Sequence, residues 1–428
     1  MSTDNHKLSL SSAIFINLNI MMGAGLFISS TILCQTLGAA SIFIYPLMGL
    51  LMFPLIFTLS NLTNKFPKGG FYEFAKPISP FWGFISTWSY FMGKLASGGL
   101  MLYVACTILK NFFIPLQTVS TLYVTFFVLL FFALFNLYNI KIGAIVQKLF
   151  FGAKLIPVIF IIATGFYFFD TSALVANNFH LSAIPFTVPL LIFCLCGFEA
   201  ACSISRKIES PTVNGPKAIY YSFGIVIFLY TLYQGLLYTL IHADADTLTS
   251  YKEMYPVVAQ LLPCSAMAQQ KISSLLNFMS AVSAIGGAYG IMFSNTWNLY
   301  TLAENNHLFL NKRFLALNKH HIPYLIIFIE SFIYMAYLIF TQGYQIPLQQ
   351  TTAFGVTIAY TISVVAAFLQ DKEKKSMSIL AIIVCSGLIG TCLYSLLQQG
   401  ISSLTLFVSI MIFGSCMFFY KKRQKNCS

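Results

Sequence analysis

Charge is scarce in this sequence: of 428 residues, 12 are Asp or Glu and 24 are Lys or Arg, 8% in all. Water-soluble domains carry about 25% charged residues, and so little charge cannot clothe a globule in water. Histidine is rare too, with 6 residues, and the 10 cysteines include no CxxC or Cys/His metal spacing. That leaves out zinc modules and thioredoxin-type redox motifs. There is no HExxH, no GxxxxGK(S/T) and no pair of intramembrane carboxylates at helical spacing, so neither a metalloprotease nor a phosphate-cradling enzyme is indicated. The sequence calls for no cofactor, no metal and no covalent chemistry.

What it has in abundance is apolar surface, with 58% hydrophobic residues and a mean hydropathy of +0.79. A lipid bilayer is the solvent that suits it, and each helical crossing needs roughly 20 apolar residues. Hydropathy marks about twelve stretches: 11–33, 39–62, 80–110, 121–138, 146–169, 184–206, 217–241, 272–302, 323–342, 350–370, 377–396 and 401–420. The expected fold is an all-α membrane protein of about twelve transmembrane helices. The first stretch has Gly23, Ala24 and Gly25 at its middle and no cleavage site behind a short apolar run, so it is expected to stay as a mature helix. Residues 242–271 form the longest outer connection and are expected to carry a short surface helix. The 43 Phe read as lipid-facing or packing residues, and most cysteines as small apolar ones.

A net charge of +12 suggests nucleic acid at first sight, but nucleic-acid binding needs a basic face on a soluble domain. Here the cations alternate between loops. Lys65, Lys68 and Lys76 follow span 2; Lys141 and Lys148 follow span 4; Arg206, Lys207 and Lys217 follow span 6. Lys312, Arg313 and Lys319 follow span 8, Lys372, Lys374 and Lys375 follow span 10, and Lys421, Lys422, Arg423 and Lys425 end the chain. The intervening loops hold Lys110, Lys252 and Lys271. By the positive-inside rule both termini are cytoplasmic. The expected location is the plasma membrane, or the inner membrane of a Gram-negative cell, with no nucleic-acid partner.

Two spans are interrupted at mid-depth, span 1 by Gly23-Ala24-Gly25 and span 6 by Cys196-Gly197 before Phe198-Glu199. They are the first members of two successive groups of five, and because five is odd the second group enters from the opposite side. This predicts an inverted repeat: residues 1–180, then 181–375, with 376–428 adding spans 11 and 12. Interrupted helices at matching positions of inverted halves point to a transporter's central site. Gly286 and Gly290, four apart in span 8, read instead as close-packing positions.

These residues resemble the amino acid-polyamine-organocation (APC) superfamily of permeases. Met22-Gly23-Ala24-Gly25-Leu26-Phe27 is similar to its helix 1 motif. Phe66-Pro67-Lys68-Gly69-Gly70-Phe71-Tyr72, leading to Pro80-Phe81-Trp82-Gly83-Phe84, resembles its helix 2 to 3 connection. Gly197-Phe198-Glu199-Ala200, with Ser210-Pro211 and Pro216-Lys217-Ala218-Ile219 downstream, resembles helix 6 and its loop. The likeness covers about the first ten spans and departs at Cys194, Cys196 and Lys94.

A broken helix in lipid survives only where its freed N–H and C=O groups are satisfied, and a zwitterion satisfies both kinds. N–H groups opening a half-helix favour an anion, so a substrate carboxylate is expected against the backbone of Gly23, Ala24 and Gly25. The resemblance implies that the ammonium faces carbonyls near Met21, Phe193 and Cys196, beside Gly197. It also implies that Phe193 is an aromatic gate, the alternative being ordinary packing. Tyr90, Lys94 and Gly98 recur every four residues and are expected to share one face of span 3, which the resemblance turns toward the substrate side chain.

Glu199, Glu330, Lys94 and Lys154 lie well inside apolar spans, where an ionisable group is a functional candidate. The resemblance implies that the Lys154 ammonium stands where sodium-driven relatives hold sodium; the alternative is a lysine snorkelling to the interface. Glu199 either couples the gate to protonation or bonds the freed backbone. Glu330 is assigned only an interhelical donor as partner. Lys94 either selects substrates with a second carboxylate or pairs with Glu199 or Glu330. The expected function is a secondary active amino acid permease or exchanger, sodium-independent and either proton-coupled or exchanging, for acidic or neutral amino acids, acting as a monomer or homodimer. Alternatives are a cationic amino acid or polyamine permease, or a transport-dead sensor.

Overall fold

The computed structural model describes residues 7–138, 140–174, 183–248, 250–370, 375–398 and 401–427. Lys372 and Lys374, and the boundary expected between residues 180 and 181, lie outside the described residues. Helices dominate, and among the described residues the one β contact is an isolated parallel bridge between Leu8 and Ile208.

Ser9 opens α1 (Leu10–Met21) by accepting a hydrogen bond from Ser12 N, so its hydroxyl satisfies one of the first-turn N–H groups. The helix stops at Met22 and Gly23 and resumes as α2 (Ala24–Leu37). A 3-10 segment (Gly38–Phe43) leads to α3 (Ile44–Lys65), and α4 (Gly70–Ala75) fills the next connection. The Ser79-Pro80 pair starts α5 (Pro80–Leu109): Ser79 accepts from Trp82 N at 3.3 Å, and proline gives up no bond at a first helical position. Then come α6 (Ile114–Gln117), α7 (Thr121–Asn136) and α8 (Ile140–Tyr167). Next, α9 (Ile184–Leu195) is cut by a turn at residues 196–199 and resumes as α10 (Ala200–Ser203). The remainder is α11 (Pro211–Ile241), α12 (Met254–Gln260), α13 (Ala266–Glu304), α14 (Asn311–Phe314), α15 (Tyr324–Thr341), α16 (Gln345–Gln370), α17 (Lys375–Gln398) and α18 (Ile401–Cys427).

Among the described residues, nine helical stretches are long and apolar enough to cross a membrane, and α1, α7 and α9 are shorter apolar helices. Several helices begin before their apolar runs do, as α11 and α13 show, because backbone hydrogen bonding continues past the hydrocarbon edge into polar residues. α5 is the most buried span and packs against α13 and α16, while α1 lies against α8, α11 and α13. Aromatic rings cover the outer faces, for instance Tyr123, Phe127 and Phe131 on α7 and Phe332 on α15. The expected short helix of the outer connection is α12, but it is not a surface helix: Met254, Tyr255 and Val258 are buried, and Tyr255 Oη lies 2.9 Å from Ser280 Oγ of α13.

Small residues bring α13 onto α1 and α8. A Cβ on Gly290 would lie 2.7 Å from Ile20 Cγ1, and one on Gly286 2.5 Å from Phe150 Cβ, which bears out their reading as packing positions.

Candidate substrate site

The two interruptions meet. Gly197 takes φ +141, a conformation that only glycine adopts freely, and a Cβ there would lie 2.8 Å from Met21 N. On the other side a Cβ on Gly25 would lie 3.1 Å from Cys194 Cα and 3.2 Å from Phe193 Cδ1, so the Phe193 ring covers Gly25. Gly23 is pressed by α5, with Met101 Cε 2.6 Å from where its Cβ would be. Asn17 fastens the pair: its Nδ2 donates to Phe198 O at 2.7 Å and Ser222 Oγ at 3.1 Å, and its Oδ1 accepts from Ala201 N at 2.9 Å.

The freed carbonyls of span 1 have hydroxyl or ammonium partners. Tyr230 Oη donates to Met21 O at 2.7 Å, Ser283 Oγ donates to Met22 O at 2.9 Å, and Lys154 Nζ donates to Asn19 O at 2.7 Å. Lys154 is fully buried, so it does not snorkel; its ammonium sits on the last turn of α1. Asn19 also donates to Gly286 O at 2.7 Å and to Gln147 Oε1. The N–H groups that open α2 at Gly23, Ala24 and Gly25 have no side-chain cap, leaving donors of the kind that begin every helix. In span 6, Gly197 N donates to Glu199 Oε2 at 2.6 Å, and the Cys196 thiol donates to Phe193 O at 3.4 Å.

Glu199 is therefore a backbone partner and also an ion-pair partner. Lys94 Nζ lies 3.3 Å from its Oε1 and 3.5 Å from Cys196 Sγ, and Tyr90 Oη donates to the same Oε1 at 3.0 Å. Of the two acids the sequence left open for Lys94, Glu199 is the partner. Tyr90 and Lys94 join the break in span 6, but Gly98 does not: Tyr334 of α15 presses on it. An α-helix advances about 100° per residue, so positions eight apart diverge by about 80°, and the face shared by Tyr90 and Lys94 has turned away by Gly98. Glu330 is 2.6 Å from Thr296 Oγ1 of α13, the interhelical hydroxyl partner its burial called for.

Met21, Ala24, Tyr90, Lys94, Phe193, Cys196 and Glu199 are all buried, so the site is closed to solvent. Among the described residues no group of three or more His, Cys, Asp or Glu is placed to hold a metal.

The amino acid permease family profile matches residues 8–426. The chain belongs to the amino acid permease family. The permease is 24% identical over 308 residues to an amino-acid permease of Schizosaccharomyces pombe named for the sexual differentiation process, covering 67% of this chain and 51% of that one. It is 23% identical over 327 residues to the D-serine/D-alanine/glycine transporter of Escherichia coli K12, covering 71% of this chain and 66% of that one. A shorter match, 27% over 129 residues, is to cationic amino acid transporter 1 of Schizosaccharomyces pombe, covering 29% and 21%. The permease thus spans about half the length of the first of these relatives. It is a multi-pass membrane protein of the APC superfamily.

Sequence reasoning on the permease missed Asn17, Tyr230 and Ser283. Each is an uncharged polar residue among others in its span, and its partner lies 181 to 261 positions away in the chain. Asn17 carried a signal in the sequence, an amide two residues before another, Asn19, in an apolar run.

Proposed function

We propose that the permease is a sodium-independent secondary carrier of neutral amino acids, working by alternating access around its two interrupted helices. The observation that supports this most is the contact of the breaks: Phe193 and Cys194 close on Gly25, and Gly197 closes on Met21, while the N–H groups that open α2 at Gly23, Ala24 and Gly25 have no side-chain cap. A carboxylate suits these donors, and in this reading the ammonium faces the Cys196 carbonyl and competes with Tyr230 Oη for Met21 O and with the Cys196 thiol for Phe193 O, so the backbone answers the part that all amino acids share. Phe193, lying over Gly25, acts as the gate.

Selectivity follows from the side chains. Lys94 and Glu199 cancel each other's charge, so the subsite offers neither a free cation to a second carboxylate nor a free anion to a basic side chain. This favours neutral substrates over the acidic ones that Lys94 alone suggests. The Escherichia coli relative, named for D-serine, D-alanine and glycine, fits that reading. A cationic substrate would need the Glu199 carboxylate that Lys94 occupies. Lys154, whose Nζ donates to Asn19 O, stands in this reading where a sodium-driven carrier would hold its ion.

In the same reading the chain forms two inverted groups of five helices, residues 1–180 and 181–375, followed by two more, with both termini in the cytoplasm of a cell bounded by this membrane. The test is uptake of labelled neutral, acidic and basic amino acids by reconstituted wild type and Lys94→Met. Freed of Lys94, Glu199 is expected to raise the ratio of basic to neutral uptake about tenfold or more, a change of at least about 1.4 kcal/mol. Wild-type uptake of glutamate that Lys94→Met abolishes would contradict the neutral reading.

A further inference from the structure

Glu330 is the intramembrane carboxyl that the substrate site leaves unused. It is fully buried on α15, and among the described residues it forms no ion pair. Its Oε1 has no hydrogen-bond partner, and its Oε2 meets a single neutral hydroxyl, that of Thr296, at 2.6 Å. A carboxylate charge left in such surroundings is strongly unfavourable, whereas a neutral acid is not.

A count of hydrogens agrees. Thr296 Oγ1 is 2.8 Å from Met292 O as well as 2.6 Å from Glu330 Oε2. A hydroxyl has one hydrogen and a carbonyl oxygen has none. With the carboxyl ionised, one of these two short contacts contains no proton. With a proton on Oε2, the acid donates to Thr296 and Thr296 donates to Met292 O, so both contacts are hydrogen bonds.

Of the other titratable groups on α15 and the elements packed against it, Cys106 of α5 is a buried thiol, Glu304 of α13 pairs with Arg206, and Lys271 of α13 and Tyr324 of α15 are exposed. On α5, Lys94 and Tyr90 face Glu199 and Tyr103 faces Gly343. On α13, Tyr289 packs on Phe132 and Phe150, and Tyr300 on Arg206. Tyr360 of α16 packs on Phe71 and Phe198, Tyr123 of α7 is exposed, and Lys312 and Arg313 of α14 lie beyond the end of α13. On α15 itself Tyr337 donates to Met92 O, and Tyr334, one turn from Glu330, is the remaining neighbour.

The turn of α13 that holds this carboxyl also holds the segment after the break in span 6. Asn298 Nδ2 donates to Ser203 Oγ of α10 at 3.0 Å and to Asn295 Oδ1 at 2.9 Å, and Asn295 Nδ2 donates to Phe91 O of α5 at 3.0 Å. Thr296 is the next residue, so a shift of α10 that pulls on Asn298 disturbs the hydroxyl on which the acid rests.

We propose that Glu330 is a proton-binding site, loaded in this closed conformation, through which the carrier couples to a proton gradient. The coupling half rests on the carrier reading; the proton site does not. Infrared spectroscopy of the purified full-length protein at neutral pH is expected to show a protonated carboxyl band that disappears in Glu330→Gln. In Thr296→Val the band is expected to persist but move to higher frequency. Identical bands in wild type and Glu330→Gln, or no shift in Thr296→Val, would overturn the site. In proteoliposomes an acid-outside gradient should raise amino acid accumulation severalfold in wild type and not in Glu330→Gln, while counterflow without a gradient persists in both. A gradient response of equal size in the variant would overturn the coupling role. Absence of counterflow in wild type would count against the carrier reading while leaving the infrared result to decide the proton site.

Discussion

Gly25 packs the two breaks together and, in the proposed reading, also binds substrate. Its missing side chain lets Phe193 and Cys194 close on span 1 while its N–H stays at the open end of α2. Gly25→Val is expected to cost about 1–3 kcal/mol through overpacking and to abolish uptake while the protein still purifies as a folded monodisperse species; normal uptake would show that the breaks need no such closeness. Lys94 and Glu199 are bound more tightly to each other. Removing one partner of a buried ion pair costs about 3–5 kcal/mol, so Glu199→Ala is expected to lower the thermal unfolding midpoint more than the double variant Lys94→Met/Glu199→Gln, a difference that calorimetry in detergent reads. At this scale the sequence was readable where residue type is unusual for its setting. Glycines and charges inside an apolar run stand out, and so Gly23, Gly25, Gly197, Lys94, Lys154 and Glu199 were singled out, and the structure places all six in buried positions at or beside the breaks. Which acid Lys94 meets was not readable, since Glu199 and Glu330 differ only in their position in space. Gly98 was drawn in by a spacing of four that ignores the helix's drift.

At the scale of elements, each break is held by its neighbours rather than by itself. α1 ends because Met22 and Gly23 leave the helix, yet its carbonyls are taken up by Tyr230 of α11, Ser283 of α13 and Lys154 of α8. Asn17 ties α1 to the other break. Asn17→Ala strands Ala201 N–H and Phe198 O in the interior, at about 1–3 kcal/mol for each buried group left unpaired. Thermal unfolding is expected to move down accordingly, and substrate binding to weaken, because the two halves of the site lose their common fastener. An unchanged midpoint would mean that the two carbonyl and amide groups find water. The existence and order of the helices was legible from apolar runs alone. The polar stitching between them was not, because a few scattered Asn and Ser residues leave no periodic trace that tells which of them face a partner helix.

For the whole molecule, the intramembrane charges form a consistent set. Lys94 and Glu199 neutralise each other, Lys154 lies on a helix end that carries partial negative charge, and Glu330 faces a hydroxyl and forms no ion pair among the described residues. Basic residues remain at the loops, where Arg206 and Glu304 join at 2.7 Å between the end of span 6 and the end of α13. In the proposed reading Lys154 takes the place of a sodium ion and the site between the breaks receives a zwitterion without net charge. The measurement that bears most directly on this account is amino acid counterflow in sodium-free proteoliposomes loaded with unlabelled glycine or alanine. Saturable accumulation of the labelled amino acid, absent in Gly25→Val, is the predicted result. No counterflow with any amino acid, or counterflow that appears only when sodium is added, would contradict it.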